Sequence, residues 1–234
     1  MSVLHDDIEA QISKILRTKW EERDGQKVPT AEEVQLGNHA VKLDGTVLYA
    51  DLSDSTAMVN DYKNWFAAEI YKSFLYSAAR LIRARGGVIT AYDGDRVMGV
   101  FIGDSKNTSA VKCGLQINYV VTKMLQPAIA GRYPKSPYEP LHVVGIDTSS
   151  LYVARTGVRG DNDLVWVGRA ANYAAKMAAL DNTSATYISA SVYNNMNESS
   201  KLGGDPKKNM WKAQAKSKLG LGIDYYGSTW HWKP

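Results

Sequence analysis

The folds open to this sequence are limited most by a long amphipathic segment that lies between two runs of strand-forming residues. From Thr56 to Arg85, apolar residues recur at spacings of three and four, which predicts one long helix that ends at Gly86 and Gly87. The preceding run from Gly45, GTVLYADLSDST, is dense in β-formers and predicts a buried strand. We therefore expect a sheet with helices packed on it.

The remaining patterns continue this alternation of strands and helices. Residues 88–102 predict a β-hairpin, and residues 105–125 predict a second long helix with Ser105 as N-cap. A loop rich in Pro and Tyr, residues 127–140, precedes LHVVGID and SLYVARTG, which predict a pair of strands. A third helix over residues 170–180, a strand and short helix in TYISASVYNNM, and an edge strand in the tail YYGSTWHWK follow. This order predicts an α/β sandwich, in which helices cover one sheet.

The N-terminal residues have a different pattern. Ile8, Ile12 and Ile15 lie at helical spacing among many charges, and EERDGQKVP then breaks the pattern. We therefore expect an amphipathic helix and a linker in residues 1–40, followed by a single domain in residues 41–234. A chain of 234 residues with 44% hydrophobic residues can bury a sizeable core.

Composition and charge argue against several classes of function. The formal charge of +4 is spread along the chain rather than gathered in a basic stripe, so no nucleic-acid partner is expected. The single cysteine, Cys113, cannot form an intrachain disulfide, which fits a reducing compartment. The N-terminus does not resemble a signal peptide, and no apolar run approaches the ~20 residues that span a bilayer. We expect a soluble, cytoplasmic protein with no membrane partner.

Two carboxylates interrupt the predicted strands. Asp51 ends the first core strand, where a buried carboxylate is costly unless backbone amides satisfy it, a cation binds it or a charge pairs with it. In the hairpin AYDGDRVMGVF, Asp93 and Gly94 are expected to form the turn, so Asp95 would begin the return strand, where β-propensity disfavours it. If the two strands pair, Asp51 and Asp95 face one small space. Two hard oxygen donors there predict a site for Mg²⁺ or Mn²⁺ and a triphosphate.

The residues that follow Asp51 are predicted to complete this site. Asp54 is expected to cap the helix that begins after it, because its side chain can accept from the free amides of the first turn. Substrate phosphates are expected to bind the backbone amides from Ser53 through Ser55 to Thr56.

A third polar interruption lies in LVWVGRAANYAAKM. Asn172 and Lys176 are four residues apart, so they share one helix face. Such a pair is by itself usually a solvated face. Beside a triphosphate site, it is interpreted as two donors aimed at charge that develops during a reaction.

Together these residues resemble the catalytic domain of the class III nucleotidyl cyclases over about residues 41–232. The family's Phe-x-Asp pattern at the end of the first strand is Tyr-Ala-Asp here, ending at Asp51. Its Gly-Asp hairpin ends here at Asp95. The resemblance implies a ferredoxin-like domain with a central, mostly antiparallel sheet. It also implies two divalent ions, Mn²⁺ or Mg²⁺, bound by Asp51, Asp95 and the backbone carbonyl of Leu52.

The same resemblance assigns a role to the helical pair. Family members carry Asn and, four residues on, Arg to stabilise the transition state, so Asn172 and Lys176 are implied as catalytic residues. It also implies a head-to-tail homodimer in which these two residues of one chain meet Asp51 and Asp95 of the other. The family's Lys that binds the terminal phosphates has four candidates here: Lys208, Lys212, Lys216 and Lys218.

Departures from the family pattern bear on the base of the substrate. Ala91 and Val165 stand where family adenylyl cyclases have polar residues that read adenine. Tyr49, where Phe is usual, and Arg96, where a small residue usually follows the Asp, add bulk and polar reach. The string DGDRVM and the loss of the adenine pair are similar to the bacterial antiphage pyrimidine cyclases called Pycsar cyclases, which make a cyclic mononucleotide for a partner effector. The resemblance implies UTP or CTP as substrate. We expect UTP of the two, because Arg96 could donate to a uracil carbonyl if its side chain turns inward.

Other functions remain open from the sequence. A cytidylate cyclase comes first, and an adenylyl cyclase that reads adenine through backbone groups comes second. A non-catalytic cyclase-like domain would have no need of both metal carboxylates. A metal-dependent phosphatase would need more ligands than the two Asp residues supply.

Overall fold

The computed structural model of the chain describes residues 2–158 and 160–234. Its helices are α1 (Val3–Arg17), α2 (Ser55–Asp61), α3 (Asn64–Ala84), α4 (Lys106–Val120), α5 (Gln126–Arg132), α6 (Arg169–Ala178), α7 (Ala190–Asn195) and α8 (Lys216–Leu219). Its strands are β1 (Glu21–Asp24), β2 (His39–Leu52), β3 (Val88–Asp93), β4 (Arg96–Ile102), β5 (His142–Val158), β6 (Asp161–Val167), β7 (Thr186–Ser189), β8 (Leu202–Gly203), β9 (Lys208–Asn209), β10 (Lys212–Ala213) and β11 (Tyr225–Ser228). Short 3₁₀ helices span Ala31–Glu33 and Glu198–Ser200, and a π-helical turn spans Val121–Leu125.

The chain divides into two compact units, and β2 and β5 each contribute residues to both. The first unit contains Met1–Leu43 and Ser150–Gly168. In it, β1 pairs in parallel with the start of β2, within the segment expected to be a linker, and β6 pairs antiparallel with the end of β5. None of the residues of α1 is buried. The side-chain amide of Asn38 donates to the carbonyls of Ile15 and Thr18 at 2.8 and 2.7 Å, which holds the C-terminal end of α1.

The second unit contains Asp44–Ser149 and Arg169–Pro234. Its sheet has the strand order β10-β11-β7-β5-β2-β4-β3. The pair β5–β7 is parallel, and the pairs β10–β11, β11–β7, β2–β4 and β4–β3 are antiparallel. The helices pack on this sheet, so the predicted α/β sandwich with a mostly antiparallel sheet is confirmed.

The main core of the second unit lies between this sheet and the helices α3 and α4. Leu48 and Ala50 of β2 and Phe101 of β4 are buried there. A Cβ added at Gly99 would lie 2.8 Å from a methyl carbon of Ile82, so α3 approaches β4 closely at a residue that has no side chain. Because side chains alternate along a strand, the residues between these core positions face the other side of the sheet.

The long helix predicted from Thr56 to Arg85 is wrong in one respect, because it is two helices that meet at Tyr62 and Lys63. The backbone of Tyr62 is extended, and its ring stacks on Phe66 at 4.9 Å between centroids. The sequence has no Gly or Pro at this break, so no residue there predicts it. The stacked aromatic rings lie directly beside the break.

The predicted stop at Gly86 and Gly87 is confirmed. Gly86 has a φ of 80° and donates to the Arg83 carbonyl, while Gly87 donates to the Ile82 carbonyl at 2.9 Å. This is the bonding pattern of a Schellman motif, in which a left-handed residue lets two amides close the last helical turn.

The second predicted helix is longer than expected. It continues from α4 through the π-helical turn into α5, so the loop begins at Tyr133 rather than at residue 127. An α-helical turn would press the ring of Pro127 against the carbonyl four residues earlier. The wider π-helical turn directly before α5 relieves that contact.

Two strand predictions are also wrong. LHVVGID and SLYVARTG form the single strand β5, and the second half of β5 pairs with β6, which the sequence pattern did not predict. The tail strand β11 lies between β7 and β10, so it is not an edge strand. The strand and short helix in TYISASVYNNM are confirmed as β7 and α7. No helix in residues 2–158 and 160–234 combines the length and the apolar character that crossing a membrane requires.

The buried His142 should make the stability of the fold sensitive to acid. Burial lowers the pKa of His142 to about 4, and its Nε2 atom has no hydrogen-bond partner among the described residues. Because the unfolded chain takes up this proton at a pKa of about 6.5, stability is present above that pH and is lost as the pH falls toward 4, by up to about 3 kcal/mol.

We expect His142→Leu to reduce this loss. Thermal melts of both proteins between pH 7 and pH 4 should show a steeper fall in Tm for the parent chain. The exposed His5 provides the control, since His5→Leu should keep the parent slope. Equal slopes in the parent chain and His142→Leu would contradict the prediction.

Candidate functional site

The face of the sheet that lies opposite α3 and α4 carries Tyr49 and Ala91, two of the residues predicted to read the base. Tyr49 of β2 pairs directly with Met98 of β4, and Met98 pairs with Ala91 of β3. Directly opposed residues of antiparallel strands place their side chains on the same face. Tyr49 and Ala91 therefore share one row across three strands.

A β-bulge puts Ala91 on that face. Ile89 pairs with Gly99 and Ala91 pairs with Met98, which leaves Thr90 as the extra residue of β3. Strict alternation would have placed Ala91 on the same side as Ile89, which packs against the core under the helices. The extra residue reverses the alternation and turns Ala91 toward the face that carries Tyr49.

The next row of the same face carries the first predicted metal ligand. Asp51 pairs with Arg96, and Arg96 pairs with Asp93. The Arg96 guanidinium donates to the Asp93 carboxylate at 2.7 Å and lies 5.7 Å from the centroid of the Tyr49 ring. The hydrogen bond to Asp93 also raises the pKa of Arg96. Arg96 therefore connects the base-reading row to the carboxylate row.

The hairpin turn differs from the predicted one. The last pair of the ladder joins Asp93 to Arg96, so the two-residue loop is Gly94-Asp95 rather than Asp93-Gly94. Gly94 has a φ of 59°, while Asp95 is not among the residues with positive φ. A positive φ at the first loop position alone fits a type II′ turn, which requires Gly there. Asp95 is thus a loop residue, and Asp93 has its own partner in Arg96.

The structure brings Asp51 and Asp95 into electrostatic contact. Burial, and then the carboxylate of Asp95, raise the pKa of Asp51 to about 6. Arg96 lowers it only in part, because this guanidinium is hydrogen-bonded to Asp93, and the backbone amide of Leu52 adds one further hydrogen bond. Two carboxylates that repel one another and lack a dedicated counter-charge fit a divalent cation.

The predicted metal set is small. The described residues contain no group of three or more His, Cys, Asp or Glu side chains that could hold a metal. Asp51, Asp95 and the Leu52 carbonyl would thus supply only a few of the oxygen ligands that Mg²⁺ or Mn²⁺ takes. Such ions commonly complete their shell with water and substrate phosphates, so this incomplete set fits a site that forms with a bound triphosphate.

Asp54 does not act as the predicted helix cap. Its backbone is left-handed, with φ 56° and ψ 26°, and its side chain makes no capping hydrogen bond to α2. A capping residue normally has β-region angles, which explains why the prediction fails. Within the described part of the chain, Asp54 is the only residue other than glycine with a positive φ. Backbone strain of this kind is common at functional sites.

The predicted phosphate amides are only partly available. The amide of Ser53 donates to the Leu141 carbonyl at 2.9 Å, so the prediction is wrong for that amide. Ser55 and Thr56 lie in the first turn of α2, where amides have no partner within the helix. Phosphate binding by backbone amides therefore stays a prediction for Ser55 and Thr56.

A cavity of about 410 Å³ opens beside the end of β2. Its lining combines residues that follow β2 with residues at the end of α6: Asp51, Leu52, Ser53, Asp54, Ala178, Ala179, Leu180, Asp181 and Asn182. Asp181 is held by hydrogen bonds from Thr183 and Tyr187. The end of α6 therefore forms one wall of the cavity that contains Asp51.

The predicted donor pair lies on the exposed side of α6. Asn172 and Lys176 are both exposed and one helical turn apart, as the spacing predicts. Neither side chain makes a hydrogen bond or an ion pair with another residue in the part of the chain that the structure describes. Both side chains are available to a ligand or to a second chain.

Val165 belongs to the first compact unit. It pairs with Ala154 in the β5–β6 hairpin and lines a cavity of about 430 Å³ together with Trp20 and Leu36. Its predicted part in reading the base stays a prediction.

The lysine that would bind terminal phosphates also remains open. Lys208 and Lys212 lie on β9 and β10, and Lys216 forms an ion pair with Asp224 at 3.0 Å. The side chain of Lys218 lies outside the described part of the chain.

Tyr138 is a candidate that sequence reasoning missed. Burial first, and then the neighbouring Tyr62 and Tyr71, raise its pKa to about 12, with further contributions from the carboxylates of Asp54 and Asp95. Its hydroxyl therefore lies in the electrostatic field of both carboxylates. The loop that carries it, YPKSPYEP, has many aromatic and Pro residues but no motif, so only its composition could have drawn attention to it.

Comparisons with known proteins give consistent results. No protein-family model matches the chain. Two curated relatives are named uridylate cyclase: one from Xanthomonas perforans is 48% identical over 231 residues, and one from Burkholderia cepacia is 49% identical over 231 residues. Each match covers 98% of this chain and 98% of the relative. In fold, the chain is similar to a bacterial light-regulated adenylyl cyclase, with a TM-score of 0.69 at 17% identity, covering 83% of this chain and 54% of that one.

The carboxylate pair predicts a cation effect that can be measured without turnover. Because the pKa of Asp51 is raised to about 6, its ionisation destabilises the fold as the pH rises through that value. At pH 8 without divalent ions, we expect Asp51→Asn to have a higher Tm than the parent chain.

Addition of Mn²⁺ should raise the Tm of the parent chain and leave that of Asp51→Asn unchanged. Asp93→Asn is the matched control, since Asp93 is exposed and paired with Arg96, and it should retain the Mn²⁺ shift. An equal Mn²⁺ shift in Asp51→Asn would place the cation elsewhere.

Proposed function

The chain belongs to the uridylate cyclases, within the class III nucleotidyl cyclases, and on that premise we propose that it converts UTP to 3′,5′-cyclic UMP and pyrophosphate. It is a nucleotidyl cyclase by its relatives and by its fold. The observation that carries the choice of substrate is the row that Tyr49 shares with Ala91, with Arg96 above the Tyr49 ring.

The chemistry of this row favours a pyrimidine over a purine. Ala91 has no side-chain group that could hydrogen-bond a purine edge, and the half-buried Tyr49 ring occupies part of the same face. A site that reads polar base edges loses discrimination when those groups are absent. A pyrimidine base has one ring and needs a shallower pocket than a purine base. UTP and CTP therefore fit this row better than ATP and GTP.

Arg96 favours uracil over cytosine. A guanidinium carries only donors, and uracil presents two carbonyl acceptors, whereas cytosine presents an amino donor in place of one of them. A donor facing a donor leaves both without a partner, which is the strongest form of discrimination that a polar site can supply. The hydrogen bond to Asp93 holds the guanidinium at the end of this row.

The residues of the chain divide the reaction between them. Two bound divalent ions, Mn²⁺ or Mg²⁺, held by Asp51, Asp95 and the Leu52 carbonyl, would lower the pKa of the ribose 3′-hydroxyl and offset the charge of the triphosphate. Asn172 orients the ribose so that this hydroxyl faces the α-phosphate. Lys176 offsets the charge that develops on the phosphate, as a point charge rather than a planar fork.

We propose that these roles are shared between two copies of the chain. The side chains of Asn172 and Lys176 are exposed and have no partners among the described residues. Asp51 lies near the end of β2, and Asp95 lies in the loop between β3 and β4. We propose a head-to-tail homodimer with two-fold symmetry, in which each of two sites takes the carboxylates from one chain and the donors from the other. The product would act as a second messenger in the cytoplasm, where a separate effector protein senses it in antiphage defence.

The substrate proposal is tested by direct competition. With Mn²⁺ and each of the four ribonucleoside triphosphates at equal concentration, we expect UTP to give a product with the mass of cyclic UMP, together with pyrophosphate. CTP should react more slowly, and ATP and GTP at least 100-fold more slowly. Faster cyclisation of ATP than of either pyrimidine would contradict the argument from Tyr49 and Ala91, and faster CTP would contradict the one from Arg96.

The composite site is tested by mixing two inactive variants. Asp51→Ala and Asn172→Ala should each lose at least 99% of turnover, since each removes one half of both sites. After subunit exchange, a mixed dimer has one site with both halves intact, so an equal mixture should regain about a quarter of the parent activity by random pairing. Absence of recovery in mixtures shown to exchange subunits would mean that one chain forms the whole site.

A further inference from the structure

A buried carboxylate that the proposed reaction does not use lies next to α6. Asp147 of β5 is fully buried, and a buried carboxylate is costly unless it is paired and hydrogen-bonded. It has both kinds of partner: the hydroxyl of Ser189 donates to one carboxylate oxygen, and the Nε of Arg169 donates to the other at 3.1 Å. Arg169 is the first residue of α6.

Three consecutive residues of β5 hold the first turn of α6. A terminal guanidinium nitrogen of Arg169 donates to the Thr148 carbonyl at 2.7 Å, in addition to the bond with Asp147. The amide of Ala170 donates to the Ser149 hydroxyl at 2.9 Å, which satisfies an amide that has no partner within the helix. The start of α6 is thus fixed in position and in rotation about the helix axis.

The middle of α6 rests directly on the backbone of β5. A Cβ added at Gly145 would lie 2.1 Å from the Ala174 carbonyl oxygen and 2.5 Å from the Ala178 amide. No side chain separates the helix from the strand there, so α6 has no room to shift toward the sheet. This contact by itself would still allow a tilt or rotation of the first turn, which the hydrogen bonds of Arg169 prevent.

Asn172 and Lys176 have no anchors of their own. Neither side chain bonds to another described residue, so the placement of both side chains follows from the position of α6. A displacement of about 1 Å in groups that orient a reaction can cost on the order of 100-fold in rate. We propose that Arg169 is a positioning residue for the cyclase reaction, because its fork to Asp147 and Thr148 sets the placement of Asn172 and Lys176. This inference rests on the proposed function, through the roles given there to the two donors.

Kinetics of single variants separate positioning from stability. We expect Arg169→Met to lower kcat at least 10-fold and to change KM less than 3-fold, because the donors act on the reacting groups more than on binding of the triphosphate. Arg169→Lys keeps the charge but cannot reach both acceptors with one fork, so its kcat should lie between those of Arg169→Met and the parent chain.

A matched control is available at Arg85. Its Nε donates to the side-chain amide oxygen of the buried Gln116 at 2.7 Å, between the end of α3 and α4 and away from α6. Arg85→Met should lower the Tm while leaving kcat within twofold of the parent value. If kcat fell in Arg85→Met as much as in Arg169→Met, general loss of stability would explain both and the proposal would be overturned.

A double variant removes the charge penalty without restoring the anchor. Arg169→Met leaves Asp147 buried without a cation, whereas Asp147→Asn combined with Arg169→Met leaves no buried charge. The double variant should recover much of the lost Tm and keep the low kcat. Recovery of both Tm and kcat would show that Arg169 serves only to neutralise Asp147.

Mixing experiments assign Arg169 to one half of the composite site. An Arg169→Met chain mixed with Asp51→Ala should regain activity, because one site of the mixed dimer has an intact α6 and an intact Asp51. Mixed with Asn172→Ala, it should regain none above its own residual rate, because every site then has an impaired α6. The reverse pattern would overturn the proposal.

The mixture of the two variants that lack opposite halves of the site distinguishes failure of the composite site from failure of the positioning role. If Asp51→Ala and Asn172→Ala fail to complement each other, the composite site of the proposed function is wrong. The positioning role of Arg169 is then tested by the kcat and KM of the single variants and by the double variant. These measurements do not depend on a site shared between two chains.

Discussion

The antiparallel register between β2 and β4 is the constraint on which the candidate site depends. It places Asp51 opposite Arg96 and Tyr49 opposite Met98, so the carboxylate and the aromatic ring emerge on the same face of the sheet. A slip of one residue would turn both side chains toward the helices and bring Ala50 out in their place. The register is secured because the alternate positions, such as Ala50 and Leu48, are buried against α3 and α4. The apolar core therefore determines the geometry of the polar face.

The arrangement of charged residues on that face lowers the stability of the fold. Asp51 carries a raised pKa because it is half-buried beside Asp95, and the nearest cation, Arg96, is already hydrogen-bonded to Asp93. Asp54 adds a left-handed backbone at the start of α2. Each of these features is unfavourable by itself, and the proposed binding of cations and phosphates would offset that cost. By contrast, the buried Asp147 is fully paired, as expected of a carboxylate that supports the fold around α6 rather than a ligand.

The sequence predicted Asp51 and Asp95 because each is a charge in a run that otherwise reads as buried strand. It could not predict the turn, because Asp93-Gly94 and Gly94-Asp95 both suit a two-residue loop and differ only in where the positive φ falls. The sequence could not predict the bulge at Thr90 either, because one extra residue hardly alters the composition of a strand. The extra residue nevertheless exchanges the sides of the sheet to which the following side chains point. The environment of Tyr138 depends on how its loop packs. Loop packing leaves no periodic pattern in the sequence, so this environment could not be predicted.

The strand order of the second unit has a consequence for synthesis of the chain. β2 ends at Leu52, and its neighbour β5 begins only at His142, about 90 residues later. At about 5 to 20 residues per second, one long side of β2 stays open for roughly 5 to 20 seconds while β4 can already cover the other. An apolar strand with an unpaired edge is a template for pairing with other chains. The yield of folded protein will therefore depend on what shields β2 during translation as well as on the finished sheet.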